Sequence, residues 1–448
     1  MTAARAQWPA GAALLGVCAA LGVLAGINPV FALGAAVFAV FATLVAADLT
    51  AGLCVFIVVA FAERIPAVGG SDITLVKALG GLLAVSWLAS IATRRAGERQ
   101  LFTAHPGITV MGVLLLTWMM LSVGWAEDPE VARSEVLRYA LSLTLLPIVY
   151  SAVRRREHVT AVLGVYVGGA VLAALYAIAV RDVEGGIGRA AGLAGTANEL
   201  ASLVVTALII CGGLLLGLRN APVLRALLIF AAAVFVAALV LSLSRGGLVA
   251  LGAAMVAAVV VGGRRRVGTA AIVAVVGLSV VGYFAVGVSE EARERVTTLG
   301  SGTGRTDIWT VGWRMVEAEP VQGVGVGNFQ TSSIHYLLEP GAIIRDDFIV
   351  DRPQVAHNAY LHMLAETGVV GLALFVGLLF AGASAAWRAA VLFARRGDAQ
   401  MESCARAVVV ALIAVFVADI FVSDQLSKTL WLLVGLGPAL LAIARRPA

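Results

Sequence analysis

Residues 222–266 read PVLRALLIFAAAVFVAALVLSLSRGGLVALGAAMVAAVVVGGRRR. Two apolar runs, each close to the roughly 20 residues that carry a helix across a bilayer core, are parted by Ser-Arg-Gly-Gly and closed by an arginine triplet. The same pattern continues in both directions. Apolar segments occupy 11–27, 30–47, 49–62, 73–92, 107–124, 135–152, 159–180, 197–217, 222–243, 246–262, 268–288, 358–387, 407–422 and 429–444. Of 448 residues, 60% are hydrophobic and 13% charged, against about 25% charged in a soluble domain. So much apolar surface needs lipid. The expected fold is all-α, a polytopic membrane helical bundle of 12–14 transmembrane helices, because the first three segments also read as two spans and a re-entrant piece. The first segment, Gly11 to Ile27, has only Arg5 before it and another apolar run directly after it, so it reads as a retained helix rather than a signal peptide.

Charge orients the bundle. Lys and Arg favour cytoplasmic loops. With the N-terminus inside and the segments alternating, 18 of the 32 basic residues fall on the inner side: Arg5, Arg94, Arg95, Arg99, Arg154 to Arg156, Arg219, Arg225, Arg264 to Arg266, Arg388, Arg395, Arg396, Arg406, Arg445 and Arg446. Only five acids join them: Asp48, Glu98, Glu157, Asp398 and Glu402. Both termini are then cytoplasmic. The outer segments are short except 289–356, whose 68 residues include enough Trp, Ile, Val and Gly to argue for order. Within it Ile308, Val311 and Met315 recur at helical spacing, as do Trp309, Trp313 and Val316. The formal charge of +5 is spread through short interhelical clusters and does not point to nucleic acid. Cys18, Cys54, Cys211 and Cys404 have neither metal-ligand spacing nor the look of a disulfide framework.

Several outer positions carry groups suited to chemistry. Arg245 opens an apolar run beside Gly246 and Gly247; burying such a cation at mid-membrane costs roughly 2.5–3.5 kcal/mol, so the alternatives are a snorkelling side chain or a clamp for an anionic group. Arg305 leads Gly304-Arg305-Thr306-Asp307, where Thr306 or Asp307 can cap the following helix and place the arginine at an anion-favouring helix start. His357, at the re-entry of the outer loop, has a side chain able to accept a proton at neutral pH, and Asn358 can either cap the helix or orient the imidazole. His362, five residues on, points to another face, and with His335 makes only a poorly spaced metal set, so no metal and no cofactor is expected. Gly323-Val324-Gly325-Val326-Gly327-Asn328 reads as a tight turn, not a dinucleotide loop. Arg189 and Asn198 belong to a further outer loop and either line the same cavity or cap structure.

SRGGLVAL at 244–251, GRTDIW at 304–309, PVQGVGVGNF at 320–329 and HNAYLHMLAETGVVGL at 357–372, in this order, resemble the O-antigen ligase and polymerase superfamily. The likeness runs from about 189 to 372; the first 180 residues match only as apolar helices. The resemblance implies a GT-C-like helical bundle and a metal-independent glycosyltransferase of lipopolysaccharide or polysaccharide biosynthesis in the bacterial inner membrane. Its donor would be a glycan on undecaprenyl or another polyprenyl diphosphate, its acceptor a lipid-linked or polysaccharide hydroxyl such as lipid A-core. The family's two essential arginines and histidine fall on Arg245, Arg305 and His357, the catalytic candidates, with Arg189, Asn198, Asp307 and Asn358 as candidate substrate contacts. A ligase is the leading expectation, a polymerase its nearest rival, and a transporter or flippase the alternative of another class. The expected organisation is N-terminal membrane helices at 1–180, a ligase-like core at 181–388 containing loop 289–356, and C-terminal membrane helices at 389–448.

Overall fold

The computed structural model describes residues 18–19, 22–61, 75–92, 100–180, 189–218, 221–286, 305–337 and 354–446. Most of the expected first span, the arginines at 5, 94, 95, 99 and 219, and outer-loop residues 289–304 and 338–353 lie outside the described residues. The chain is an all-helical membrane protein; the described residues are 84% helix and include no strand. Its main helices are α1 (Pro29–Ala47), α2 (Leu49–Ala60), α3 (Leu75–Ala92), α4 (Pro106–Ser122), α5 (Pro129–Leu143), α6 (Leu145–Ala152), α7 (Arg156–Ala179), α8 (Ala197–Gly217), α9 (Pro222–Ser242), α10 (Arg245–Val261), α11 (Arg266–Val286), α12 (Arg305–Ala318), α13 (Ala359–Arg395), α14 (Ala399–Ala418) and α15 (Lys428–Ala444). Six described helices are long and apolar enough to cross a membrane, and six shorter apolar helices accompany them.

Most expected spans match a helix to within a few residues, and the departures have local causes. The segment 135–152 is two helices, α5 and α6, meeting at Thr144. Pro147 has no N–H to give the carbonyl four residues earlier, so the ladder breaks there. The segment 407–422 is displaced: α14 begins at Ala399, where Asp398 Oδ1 accepts from Met401 N–H (3.3 Å), and ends at Ala418. A turn therefore occupies 419–427, where the sequence reading continued a helix to 422.

At the centre, α8 packs against α14, α9, α10 and α7, while α13 lies against α15, α14 and α4. Small residues let these rods approach. A Cβ on Gly213 would lie 2.3 Å from the Ala407 Cβ, and one on Gly437 2.1 Å from the Gly382 carbonyl oxygen. With lipid outside there is no hydrophobic gain from bringing apolar helices together, so such close van der Waals contact does the holding.

The two ends of the bundle differ. At one end Arg156 pairs with Asp398 (2.7 Å), Arg446 donates to the Arg154 carbonyl (2.8 Å), and Arg406 donates to Glu402 Oε1 (2.9 Å) and to the Val261 carbonyl. The opposite end gathers the starts of α8, α10, α12 and α13 and the end of α14, and with them the candidate functional residues. Arg154, Arg156, Arg406 and Arg446, from three of the basic clusters, thus share one end.

Candidate active site

The site end is built from helix starts. Ser244 is the N-cap of α10: its Oγ accepts from Gly247 N–H (3.2 Å) and donates to Asn198 Oδ1 (2.8 Å). Arg245 is thereby fixed as the first residue of the helix, with Asn198 supporting the cap rather than capping its own helix, a task done by Thr196. Arg189 Nε donates to the Ser242 carbonyl (3.0 Å), and Ala190 N–H donates to the Leu241 carbonyl (3.0 Å). Arg189 and Asn198 both brace the turn that presents Arg245. The glycines after Arg245 are not left open to a ligand. A Cβ on Gly247 would lie 2.4 Å from the Ala201 Cβ and one on Gly246 2.8 Å from the Phe421 Cβ, so both serve close packing.

Arg305 is the first described residue of α12 and is already helical. Thr306 and Asp307 therefore lie within the helix and neither is its N-cap, contrary to the sequence expectation; Asp307 is buried. Of the two stripes read along this helix, Ile308, Val311 and Met315 are buried against Phe329, Ala356 and Ala365, whereas Trp313 is exposed. Burial lowers the affinity of the Arg305 guanidinium for its proton, and the neighbouring charge of Arg245 lowers it further.

His357 adopts φ 49°, in the left-handed region. For a non-glycine residue this costs about 1–3 kcal/mol unless the surroundings impose it. Asn358 is the N-cap of α13, its Oδ1 accepting from Tyr360 N–H (3.0 Å) and Leu361 N–H (3.1 Å). Of the two roles open to Asn358, it performs the cap. Burial pushes the His357 imidazole down to about 4, with the positive charges of Arg305 and then His362 adding to the effect. At neutral pH the ring is therefore uncharged, with a lone pair free to take a proton. The charge of Arg245 acts on Arg305 and that of Arg305 acts on His357, so Arg305 links the other two electrostatically although the three belong to separate stretches of the chain.

The glycine turn and a break in α13 interlock. Gly368 has φ 64° and ψ −171°, which interrupts the helix within its long run. The break frees the carbonyls of the preceding turn, and each finds a donor. Ala365 accepts from Val324 N–H (3.0 Å), Glu366 from Gly325 N–H (2.9 Å) and Thr367 from the Trp118 indole (2.8 Å). Past the break, Val369 N–H donates to the Pro320 carbonyl (2.9 Å). Gly323, Gly325 and Gly327 all take positive φ, and a Cβ on Gly323 would lie 2.4 Å from the Glu366 carbonyl carbon. The tight-turn reading of this segment matches its geometry. The Glu366 side chain completes the dock, Oε1 accepting from Phe329 N–H (3.1 Å) and lying 3.0 Å from His362 Nε2. His335 instead pairs with Glu127 (2.8 Å), so the histidines of this end have different partners.

Sequence reasoning placed Trp309 only in a helical stripe, and missed Trp118, Trp125 and the 419–423 turn. Trp125 donates to the Gly323 carbonyl (3.1 Å) and Trp309 to the Ala356 carbonyl (2.8 Å). The available signal was the set of tryptophans near span ends, where an indole buries its rings and still needs an acceptor.

Residues 227–376 match the family described as O-Antigen ligase. A comparison with curated proteins gives no match. The matched stretch includes Arg245, Arg305, the glycine turn, His357 and the break at Gly368, but not Arg189, Asn198 or the 419–423 turn. Over residues 227–376 the chain is similar to the O-antigen ligase family, and that match supports the O-antigen ligase superfamily.

Proposed function

We propose that the chain is a glycan ligase that moves a preassembled oligosaccharide from a polyprenyl diphosphate to a hydroxyl of a lipid-linked acceptor such as lipid A-core. The reaction takes place at the outer face of the bacterial inner membrane, with both termini in the cytoplasm. The observation that carries the reading is one uncharged, half-buried imidazole under the influence of Arg305, itself under that of Arg245, within the stretch that matches the ligase family.

His357 takes the proton of the acceptor hydroxyl as its oxygen bonds to the anomeric carbon. The bond from that carbon to the diphosphate oxygen breaks with inversion, and the electron pair leaves on the polyprenyl diphosphate. Arg305 and Arg245 receive that negative charge. In a half-buried setting such fixed cations act more strongly than in water and need no reorganisation as charge develops. An imidazole near 4 is a weak base in the free protein. A bound diphosphate next to the arginines offsets their positive field and raises the proton affinity of the ring once donor is present. Asp307, at the start of α12, and Asn358, at the start of α13, keep these two helix ends in place beside the donor.

The test is transfer by purified protein from a defined polyprenyl-diphosphate oligosaccharide to lipid A-core. A single addition marks a ligase and a ladder of products a polymerase. His357→Ala is expected to abolish transfer while the protein still folds; folded His357→Ala that transfers at the parental rate would sink the assignment.

A further inference from the structure

His357 keeps a backbone conformation that a histidine holds only when its neighbours over-determine it. The flanking hydrogen bonds identify those neighbours. On the N-terminal side the Ala356 carbonyl accepts from the Trp309 indole (2.8 Å). On the C-terminal side Asn358 N–H donates to Ser423 Oγ (3.2 Å), and Ala359 N–H is shared between the carbonyls of Asp419 (2.8 Å) and Val422 (3.0 Å). All three C-terminal acceptors come from 419–423, the turn between α14 and α15, which lies outside the matched domain at 227–376.

The same turn touches the segment that carries Arg245. Gly246 sits so close to Phe421 that an added Cβ would come within 2.8 Å of the Phe421 Cβ and 3.0 Å of its Cγ. One short stretch of chain thus contacts the residue after the arginine and the residues after the histidine. The stretch is itself pinned. Asp419 N–H donates to Val415 (2.8 Å), Phe421 N–H to Ala418 (2.8 Å), and the Tyr360 hydroxyl reaches across to the Phe416 carbonyl (2.9 Å). Asp419, Val422 and Gln425 are buried.

We propose that the 419–423 turn is a positioning element of the transfer site. Ser423, with the Asp419 and Val422 carbonyls, holds His357 in its left-handed form, and Phe421 packed on Gly246 sets the separation between base and cation. This rests on His357 and Arg245 being working groups of the transfer. Ser423 touches no reacting atom and acts only through His357, so its removal should reduce turnover more than donor affinity.

Full-length Ser423→Ala, Ser423→Thr, Phe421→Leu and His357→Ala proteins, in lipid nanodiscs, are assayed with a polyprenyl-diphosphate oligosaccharide and an acceptor glycolipid. Misplacement of a catalytic group by an ångström costs up to about a hundredfold in rate, and loss of one tether about tenfold. Ser423→Ala is expected to lower kcat about tenfold with donor KM within about twofold, and Ser423→Thr, which keeps the hydroxyl, to restore most of kcat. Phe421→Leu gives a second reading if Ser423→Ala folds poorly: kcat falls at least about threefold with KM unchanged. The proposal is overturned if Ser423→Ala turns over at the parental rate, or if its loss lies in KM and threonine does not restore it. His357→Ala separates the two levels. Retained transfer in that variant sinks the mechanism beneath the proposal. Abolished transfer there, beside parental rates in Ser423→Ala and Phe421→Leu, sinks the turn's role alone.

Discussion

Replacing Gly368 by alanine tests the interlock between α13 and the glycine turn. The residue sits at φ 64°, ψ −171°, a region almost closed to side chains, with a cost of about 1–3 kcal/mol. The new Cβ would also lie 2.0 Å from the Val321 carbonyl oxygen and 2.3 Å from its carbon. Those are backbone atoms, so the 320–329 segment must retreat. Its retreat strains the bonds from Val324 to Ala365 (3.0 Å), from Gly325 to Glu366 (2.9 Å) and from Val369 to Pro320 (2.9 Å). At about 1 kcal/mol for each weakened bond, the total reaches about 4–6 kcal/mol. Gly397→Ala supplies the control: φ is 73°, but nothing lies within 4 Å of the added Cβ, leaving only backbone strain of about 1–2 kcal/mol. Thermal unfolding of both variants in one detergent is expected to show a fall in midpoint at least about twice as large for Gly368→Ala, in the ratio of those energies. The fluorescence of Trp118 and Trp125, whose indoles bond to Thr367 and Gly323 on either side of the dock, should move with it. Equal falls for the two variants, with unchanged tryptophan emission, would refute the reasoning.

The His357 ring, pushed from its ordinary 6.5 down to about 4, is neutral in the folded protein at pH values where the unfolded chain is already protonated. Folded-state stability should therefore decline as pH falls from about 6.5 to about 4 and then level off, and the acid limb of kcat/KM should lie near 4; a limb near 6.5 in the pH profile contradicts this. Glu366→Leu leaves the Phe329 N–H and the His362 Nε2 without their buried acceptor, a loss of about 2–4 kcal/mol, whereas Glu366→Gln keeps an acceptor and should lose less; thermal midpoints rank the two. Gly213→Leu forces α8 away from Ala407 and should cost at least about 1–3 kcal/mol, read as a lower midpoint than Gly212→Leu, whose added Cβ has 3.9 Å to its nearest neighbour, Ile272.

The bundle was legible because lipid imposes a simple rule on sequence: long apolar runs become helices, and basic residues collect between them. α8 and α15 match their expected spans almost residue for residue. The rule fails where apolar residues form a turn. Ile420, Phe421 and Val422 continue the hydrophobicity of α14, so the expected span ran on to 422 when Asp419 marks the end of the helix. It fails again at the start of α14, where Met401, Glu402, Ser403 and Cys404 are buried yet too polar as a run to read as membrane helix. The site was legible as motifs because glycines with positive φ and helix caps leave local signatures. The turn at 419–423 left none. Its contribution is carried by backbone carbonyls and one hydroxyl, which any sequence supplies and only the fold can aim.

Of the 32 basic residues only Lys77 and Lys428 are lysine. The arginine-lined end of the bundle gives that bias a mechanical sense. Arg396 reaches the Arg446 carbonyl, Arg446 the Arg154 carbonyl, and Arg406 the Val261 carbonyl as well as Glu402. Val261 ends α10, and Arg154 and Arg446 lie just past the ends of α6 and α15, so each guanidinium ties down backbone where a helix stops. The stitching of this end is thus delegated to guanidinium groups. An ammonium in their place would keep the charge, but it could not lace neighbouring rods together with the same fork.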